Sequence, residues 1–271
     1  MNNNVLPQYY EIIEVVEQTQ IEFIFKIKFD KVDEINYGQF LQVSIPKVGE
    51  APISISDFNK EEGYIELLIR KVGKVTDSIF KLKSGDRIGL RGPYGNGFPF
   101  EEYDGKDLII IAGGSGVAPV RSMIQHVYRN MSLVKNIELL FGFKDTNSIL
   151  FKGDLDKWKE QMNVVLTLDK GEETNNNHVG LVTQHLDKLQ TLHNRSQKNN
   201  LNIIIVGPPA MMRFTAIEIK KYEIPDECIW LSFERNMSCA VGKCGHCRIN
   251  ETYVCLEGPI FRYDKAKSLI D

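Results

Sequence analysis

Cysteine is scarce in this chain: there are five in 271 residues, and four of them fall within "MSCAVGKCGHCRINETYVC", from Met237 to Cys255. Charge of one sign is missing too. The 33 Lys and Arg stand against 36 Asp and Glu, for a net charge of −3. No basic field covers the chain, which argues against binding nucleic acid by bulk charge. Long hydrophobic runs are absent. Leu108–Ala112 and Ile203–Val206 are among the longest, far short of the roughly 20 apolar residues that a membrane helix needs. The opening "MNNNVLPQYYEII" has no basic stretch followed by an apolar one, so neither export nor a membrane location is expected and the cytoplasm is the expected compartment. A reducing compartment disfavours stable disulfides. The four crowded cysteines therefore read better as metal or iron–sulfur ligands than as a disulfide knot. There is no internal repeat, and low complexity goes no further than short asparagine runs such as Asn175–Asn177. What remains is an ordinary globular composition, 42% apolar and 25% charged, on a chain long enough for two domains.

From Tyr9 to about Leu90 the pattern is short and strand-like. Glu22–Lys28 and Gln39–Ile45 are rich in β-branched and aromatic residues, and Gly and Pro separate such runs. This predicts an antiparallel barrel or sandwich. A short helix is expected to start at Thr76, its hydroxyl capping "DSIFKL". The pattern changes between Phe98 and Lys106. Buried strands are then expected at Leu108–Ala112, Ile137–Gly142, Val164–Leu168, Ile203–Val206 and Ile229–Ser232, with helices at Ala118–Arg129, Gly153–Glu160 and Ala210–Tyr222. Strand–helix alternation implies a doubly wound parallel sheet. The expected organisation is a β-barrel domain over 1–100, an α/β domain over 101–233 and a small cysteine-rich lobe over 234–271.

Two loops of the α/β half suit a nucleotide. "IIIAGGSGVAPV" puts Gly113, Gly114, Ser115 and Gly116 between a buried strand and a helix. Glycine there lets backbone amides approach a phosphate at the positive end of the helix. "IIIVGPPAMM" places Gly207, Pro208 and Pro209 the same way, and the two loops suit the two ends of a dinucleotide. Met211 and Met212 read as helix core. Asp169, ending "VVLTL", can accept hydrogen bonds from an adenosine ribose and repel a 2′-phosphate, which favours NADH. A solvated loop charge is the plainer alternative, and Lys170 follows directly.

In the barrel half, "APISIS" (Ala51–Ser56), "LLIRKVGKVT" (Leu67–Thr76) and "LRGPYGNGFP" (Leu90–Pro99) are each readable as turns. Their order, followed by G-G-x-G-x-A-P and G-P-P-x-M, resembles the ferredoxin–NADP reductase superfamily over nearly the whole chain. The resemblance implies a barrel that binds FAD and an α/β domain that binds a pyridine nucleotide, with the chemistry carried by cofactors rather than by catalytic side chains. It implies that Ala51, Pro52, Ile53 and Ser54 line the isoalloxazine and that Leu68, Ile69 and Arg70 follow the ribityl and adenosine side. Gly73, Val75 and Thr76 would hold the pyrophosphate. Three positions depart from the pattern. Ala51 stands where the superfamily usually has Arg, leaving Arg70 to supply that charge. Ile53 replaces an aromatic, and Val206 replaces a Cys.

The cysteines Cys239, Cys244, Cys247 and Cys255 have the spacing C-x4-C-x2-C-x7-C, the plant-type [2Fe–2S] order with a short last spacer. Structural zinc more often uses two C-x2-C pairs, and only one is present here. Zinc and a redox switch stay open as alternatives, and with zinc a non-enzymatic, zinc-stapled binding protein. His246 reads as an outer donor or an exposed loop residue, and Cys228 as a buried thiol. A cluster after the α/β half narrows the resemblance to the electron-transfer subunits of dihydroorotate dehydrogenases, sulfhydrogenases and anaerobic sulfite reductases. The tail after the last cysteine, "LEGPIFRYDKAKSLID", most resembles the B subunits of the last group. That resemblance implies passage of electrons from NADH through FAD and [2Fe–2S] to a ferredoxin-like subunit and a sirohaem-type subunit that reduces sulfite.

Overall fold

The computed structural model describes residues 6–193 and 199–269. It divides into two compact units. One joins the chain up to Phe98 with Glu234–Ile260, and the other joins Pro99–Phe233 with the residues from Phe261 onward.

The first unit is a closed six-stranded barrel in the order β1-β2-β5-β4-β3-β6. Its strands are β1 (Gln8–Glu17), β2 (Glu22–Lys28), β3 (Phe40–Ile45), β4 (Gly49–Asn59), β5 (Tyr64–Arg70) and β6 (Arg87–Tyr94). Alternation sets the faces. Ile65, Leu67 and Ile69 of β5 pack inward with Leu41 and Val43 of β3 and Ile88 and Leu90 of β6. Full burial of each such side chain contributes about 1.5–3 kcal/mol. The intervening Gln42 and Arg91 are directed outward and are nonetheless buried. The short helix α1 spans Lys74–Ile79, two residues ahead of the expected start. Thr76 is its third residue rather than its cap. Its hydroxyl reaches back to accept from the amides of Val72 and Gly73, both at 3.0 Å. Beyond Glu234 the same unit holds a two-stranded hairpin, β13 (Arg248–Ile249) and β14 (Thr252–Tyr253), followed by the helical turn α5 (Val254–Glu257).

The second unit is built on a seven-stranded sheet in the order β10-β9-β8-β7-β11-β12-β15. The strands are β7 (Asp107–Gly113), β8 (Asn136–Phe143), β9 (Asn163–Leu168), β10 (His178–Val179), β11 (Leu201–Val206), β12 (Ile229–Ser232) and β15 (Ile260–Arg262). Every ladder from β10 to β12 is parallel. The strands are continuous runs of Ile, Leu and Val because helices cover both faces of such a sheet. Helices α2 (Ala118–Arg129), α3 (Lys152–Trp158) and α4 (Pro209–Lys220) begin with or next to proline or glycine where the sequence placed them, within two residues. The turn α6 (Tyr263–Ala266) follows β15. Cys228, just before β12, is buried as expected, and burial raises its thiol pKa. Among the described residues no helix is long and apolar enough to cross a membrane.

Candidate functional site

The sheet of the second unit winds outward from β7 in both directions: β8, β9 and β10 lie on one side, β11 and β12 on the other. The crevice at the carboxyl ends of β7 and β11 is thus the topological switch point, where open α/β sheets bind ligands. Both glycine loops end there. A Cβ on Gly116 would lie 2.6 Å from the Val206 carbonyl oxygen and 3.0 Å from Gly207 Cα, so only glycine permits this approach. The loops are in contact with each other rather than set apart at the two ends of a ligand. Met211 accounts for part of this. Met212 is helix core as expected, but Met211 is half-exposed, and its sulfur sits where a Cβ on either Gly113 or Gly207 would be. Gly113, Gly114 and Ser115 are half-buried and Pro208 is exposed, so this backbone is open to a ligand. Asp169 is exposed at the end of β9, two strands from β7. Two inter-strand spacings put it about 10 Å away, a span that an extended dinucleotide covers. Its amide donates to the Phe143 carbonyl at 2.9 Å, which fixes the position of this strand end.

In the first unit, Ala51, Pro52, Ile53 and Ser54 form four successive half-buried positions on β4. They pair with Val43, Gln42, Leu41 and Phe40 of β3, whereas pairing with β5 is registered only from Ile55 onward. An interruption in the ladder beside half-exposed residues is a cradle that a flat ring can use. On β5, Leu68 is directed outward and nearly buried, and Ile69 lies fully inside the barrel core, so only its backbone faces the surface. Arg70 is exposed, with its Nε 3.3 Å from Glu22. Thr76 is occupied in closing the turn at Gly73, where it also donates to the Gly73 carbonyl at 2.9 Å. That leaves the early amides of α1, at Lys74 and Val75, as the groups with no partner inside the helix.

The cysteine loop also belongs to the first unit. The amides of Val241, Lys243 and Cys244 point at Cys239 Sγ at 3.4, 3.2 and 3.4 Å, and the amide of Gly242 points at Cys255 Sγ at 3.2 Å. Left-handed turns at Ala240, Gly242 and Gly245 bend the loop around the sulfurs. At Gly242 a side chain would also collide with Leu256. Cys239 acts on the pKa of Cys244, and both Cys247 and Cys239 act on that of Cys255, so the thiols of this loop lie near one another. Among the described residues no three Cys, His, Asp or Glu side chains gather as ligands of one ion. Four thiols on one loop, in the C-x4-C-x2-C order, suit a two-iron cluster. Amide donors to sulfur are the outer contacts such clusters use. The residues present therefore fit a [2Fe–2S] cluster. Cys244 is exposed, and the His246 amide followed by Cys239 pulls its pKa down to about 7. Cys255 is pushed up to about 12, chiefly by burial. The His246 side chain is exposed.

Two features of this unit were not foreseen. Asn96, in the Gly-Pro-Tyr-Gly-Asn-Gly loop after β6, donates to the carbonyls of Glu257 and Ile260 at 3.1 and 2.9 Å, so that motif latches the segment beyond Cys255. Arg91 binds the carbonyls of Ser238 and Cys239. Neither contact could be read locally, because each pair is separated by more than 140 residues.

The barrel cradle, the switch-point glycines and the thiols under loop amides define a class: a flavin- and pyridine-nucleotide-binding oxidoreductase subunit with an iron–sulfur segment. Comparison with known proteins agrees segment by segment. Residues 10–98 match the oxidoreductase FAD-binding domain, 110–216 the oxidoreductase NAD-binding domain, and 234–267 the iron–sulfur cluster binding domain of dihydroorotate dehydrogenase B. The chain is 34% identical to sulfhydrogenase 1 subunit gamma of Pyrococcus furiosus, covering 93% of this chain and 89% of that one. It is 37% identical to sulfhydrogenase 2 subunit gamma of the same organism, over 95% of each. It is 30% identical to the electron transfer subunit of dihydroorotate dehydrogenase B of Streptococcus mutans, over 93% and 95%. In fold it is similar to the NADH-dependent reduced ferredoxin–NADP oxidoreductase, with a TM-score of 0.77 at 24% identity over 96% of this chain and 92% of that one. The chain belongs to the ferredoxin–NADP reductase-like family of NAD(P)H-dependent flavin and iron–sulfur electron-transfer subunits, alongside the sulfhydrogenase gamma and dihydroorotate dehydrogenase B subunits. With FAD-binding and iron–sulfur-binding domains both present, the zinc-stapled alternative loses its support.

Proposed function

We propose that this chain is the NADH-oxidising subunit of an anaerobic sulfite reductase, handing electrons to a ferredoxin-like subunit and a sirohaem-type subunit that reduces sulfite to sulfide. When bound, a flavin takes a hydride as an electron pair and releases electrons singly, and a [2Fe–2S] cluster carries one at a time. The chain positions these groups. Gly113, Gly114, Ser115, Gly116, Gly207 and Pro208 offer amides and the ends of α2 and α4 to the nucleotide phosphates, and Asp169 offers a carboxylate to the adenosine ribose. Ala51–Ser54 carry the flavin ring. Leu68, Ile69 and Arg70, with Gly73, Val75 and Thr76, follow its tail. Cys239, Cys244, Cys247 and Cys255 would hold the irons of the cluster. The observation that carries the electron-transfer reading is the loop that aims four backbone amides at the sulfurs of Cys239 and Cys255. The resemblance of the tail "LEGPIFRYDKAKSLID" supports sulfite as the final acceptor. A cytoplasmic location accords with this role.

A second reading has its own support. The relatives named sulfhydrogenase gamma and dihydroorotate dehydrogenase electron transfer subunit favour a partner enzyme of one of those kinds. Anaerobic purification with iron, acid-labile sulfide and flavin assays tests the shared part. Reconstitution with purified partner subunits separates the rest: NADH-dependent sulfide production from sulfite is expected, and dihydroorotate or hydrogen turnover in its place would assign the chain to the other complexes.

A further inference from the structure

Arg91 of β6 is an arginine that is only 4% exposed at its side chain, although it is directed outward from the barrel. A guanidinium has five N–H donors, and all five are used. Nε donates to Glu50 Oε1 and Oε2 at 3.1 and 3.0 Å. One terminal nitrogen donates to the Tyr94 hydroxyl at 3.2 Å and to the Cys239 carbonyl at 2.6 Å. The other donates to Glu50 Oε2 and to the Ser238 carbonyl. Glu50 immediately precedes Ala51 on β4, the strand of the flavin cradle. One buried cation thus ties the first cysteine of the cluster loop to the strand that carries the flavin ring. Gln42 of β3 is the cross-strand neighbour of both Arg91 and Pro52. Its amide is fully buried and has no hydrogen-bond partner among the described residues, so polar character continues from Arg91 toward the cradle.

We propose that Arg91 is a positioning residue that locks the cluster loop onto the flavin-bearing strand, and that the Arg91–Glu50 pair sets the reduction potential of the cluster. The proposal rests on the [2Fe–2S] reading of the four cysteines. Reduction adds one negative charge to a thiolate-ligated cluster. A desolvated cation at the backbone of Cys239 favours the reduced form, and a nearby carboxylate opposes it. The two partners therefore push the potential in opposite directions. A lysine would keep the charge, but with three donors it cannot serve two carbonyls and both carboxylate oxygens in the same fork.

The test uses the full chain, reconstituted anaerobically with iron and sulfide, and redox titration followed by electron paramagnetic resonance. Arg91→Gln is expected to shift the one-electron equilibrium of the cluster about tenfold toward the oxidised form, about 59 mV downward. Glu50→Gln is expected to shift it upward. The double variant should return close to wild type, and Arg91→Lys should hold the potential while binding less iron. A purely structural role would lower cluster content in every variant and move the potentials in one direction or not at all, and that result overturns the proposal. If Arg91→Gln fails to hold a cluster, Glu50→Gln decides alone: an unchanged or lowered potential refutes the idea. A wild-type chain without acid-labile sulfide after reconstitution overturns the cluster reading itself, and this proposal falls with it.

Discussion

Three glycines of the second unit give a graded test of how the switch-point crevice is built. At Gly116 a Cβ would lie 2.6 Å from the Val206 carbonyl oxygen, where ordinary contact begins at 3.4 Å, so backbone must move by about 0.8 Å. No flexible side chain can absorb that shift. Overpacking of this kind costs about 1–3 kcal/mol. For a chain of this size each kcal/mol moves Tm by about 2–4 °C, so Gly116→Ala should lose about 2–12 °C and weaken NADH binding at least tenfold. Gly114 has open space around its Cβ but sits at φ +55°. Its alanine variant carries only the left-handed penalty, about 1–2 kcal/mol. Gly153, in α3, has open space and no positive φ, so Gly153→Ala should be neutral or stabilising by up to about 1 kcal/mol. Thermal unfolding and stopped-flow flavin reduction by NADH measure the series. If Gly116→Ala proved no worse than Gly114→Ala, or Gly153→Ala were equally damaging, the contact between the two glycine loops would not be what holds the crevice.

Other outcomes follow from single contacts. Glu138 is buried on β8 and accepts from Asn163 Nδ2 at 2.6 Å and from the amides of Gln190 and Thr191 at 3.0 and 2.8 Å. Glu138→Ala strands these donors and should lower the stability measured in urea by about 3 kcal/mol. In the metal-free chain, iodoacetamide should modify Cys244 first, with a midpoint near pH 7, while Cys255, pushed up to about 12, reacts last. Modification in the opposite order, read by mass spectrometry, would contradict the loop geometry. Asp226 is held below the usual carboxylate range first by Lys220 and then by Lys267. A depressed carboxylate stabilises above its unfolded pKa, and that stability is lost as pH falls through the folded value. Asp226→Asn should therefore cost about 0.5–1 kcal/mol at pH 7 and progressively less below pH 4.

Much of the architecture was legible because its signals are local. The runs of β7 and β11 can only be strands buried on both faces, and α2 appears over the very residues its pattern marked, Ala118–Arg129. The reading failed where a side chain serves something remote or reverses direction. Helical spacing puts Met211 in the core of α4, yet its sulfur packs on two loops at the sheet end. Thr76 has the chemistry of a cap but works from inside the first turn. Arg91 alternates with inward Leu90 and carries no local sign of its partners. Its partners at Ser238 and Cys239 lie 147 and 148 residues further on. The cysteines announced a metal site by spacing alone, while the amides aimed at their sulfurs are a property of the folded loop.

The polypeptide passes from one unit to the other three times, at Phe98, Phe233 and Ile260. Neither unit can therefore be excised as one uninterrupted gene fragment. A truncation before Glu234 would remove β15 from the sheet and leave the barrel without the segment that Arg91 and Asn96 grip. Chimeras with related reductases should be productive only when the last forty or so residues travel with the rest.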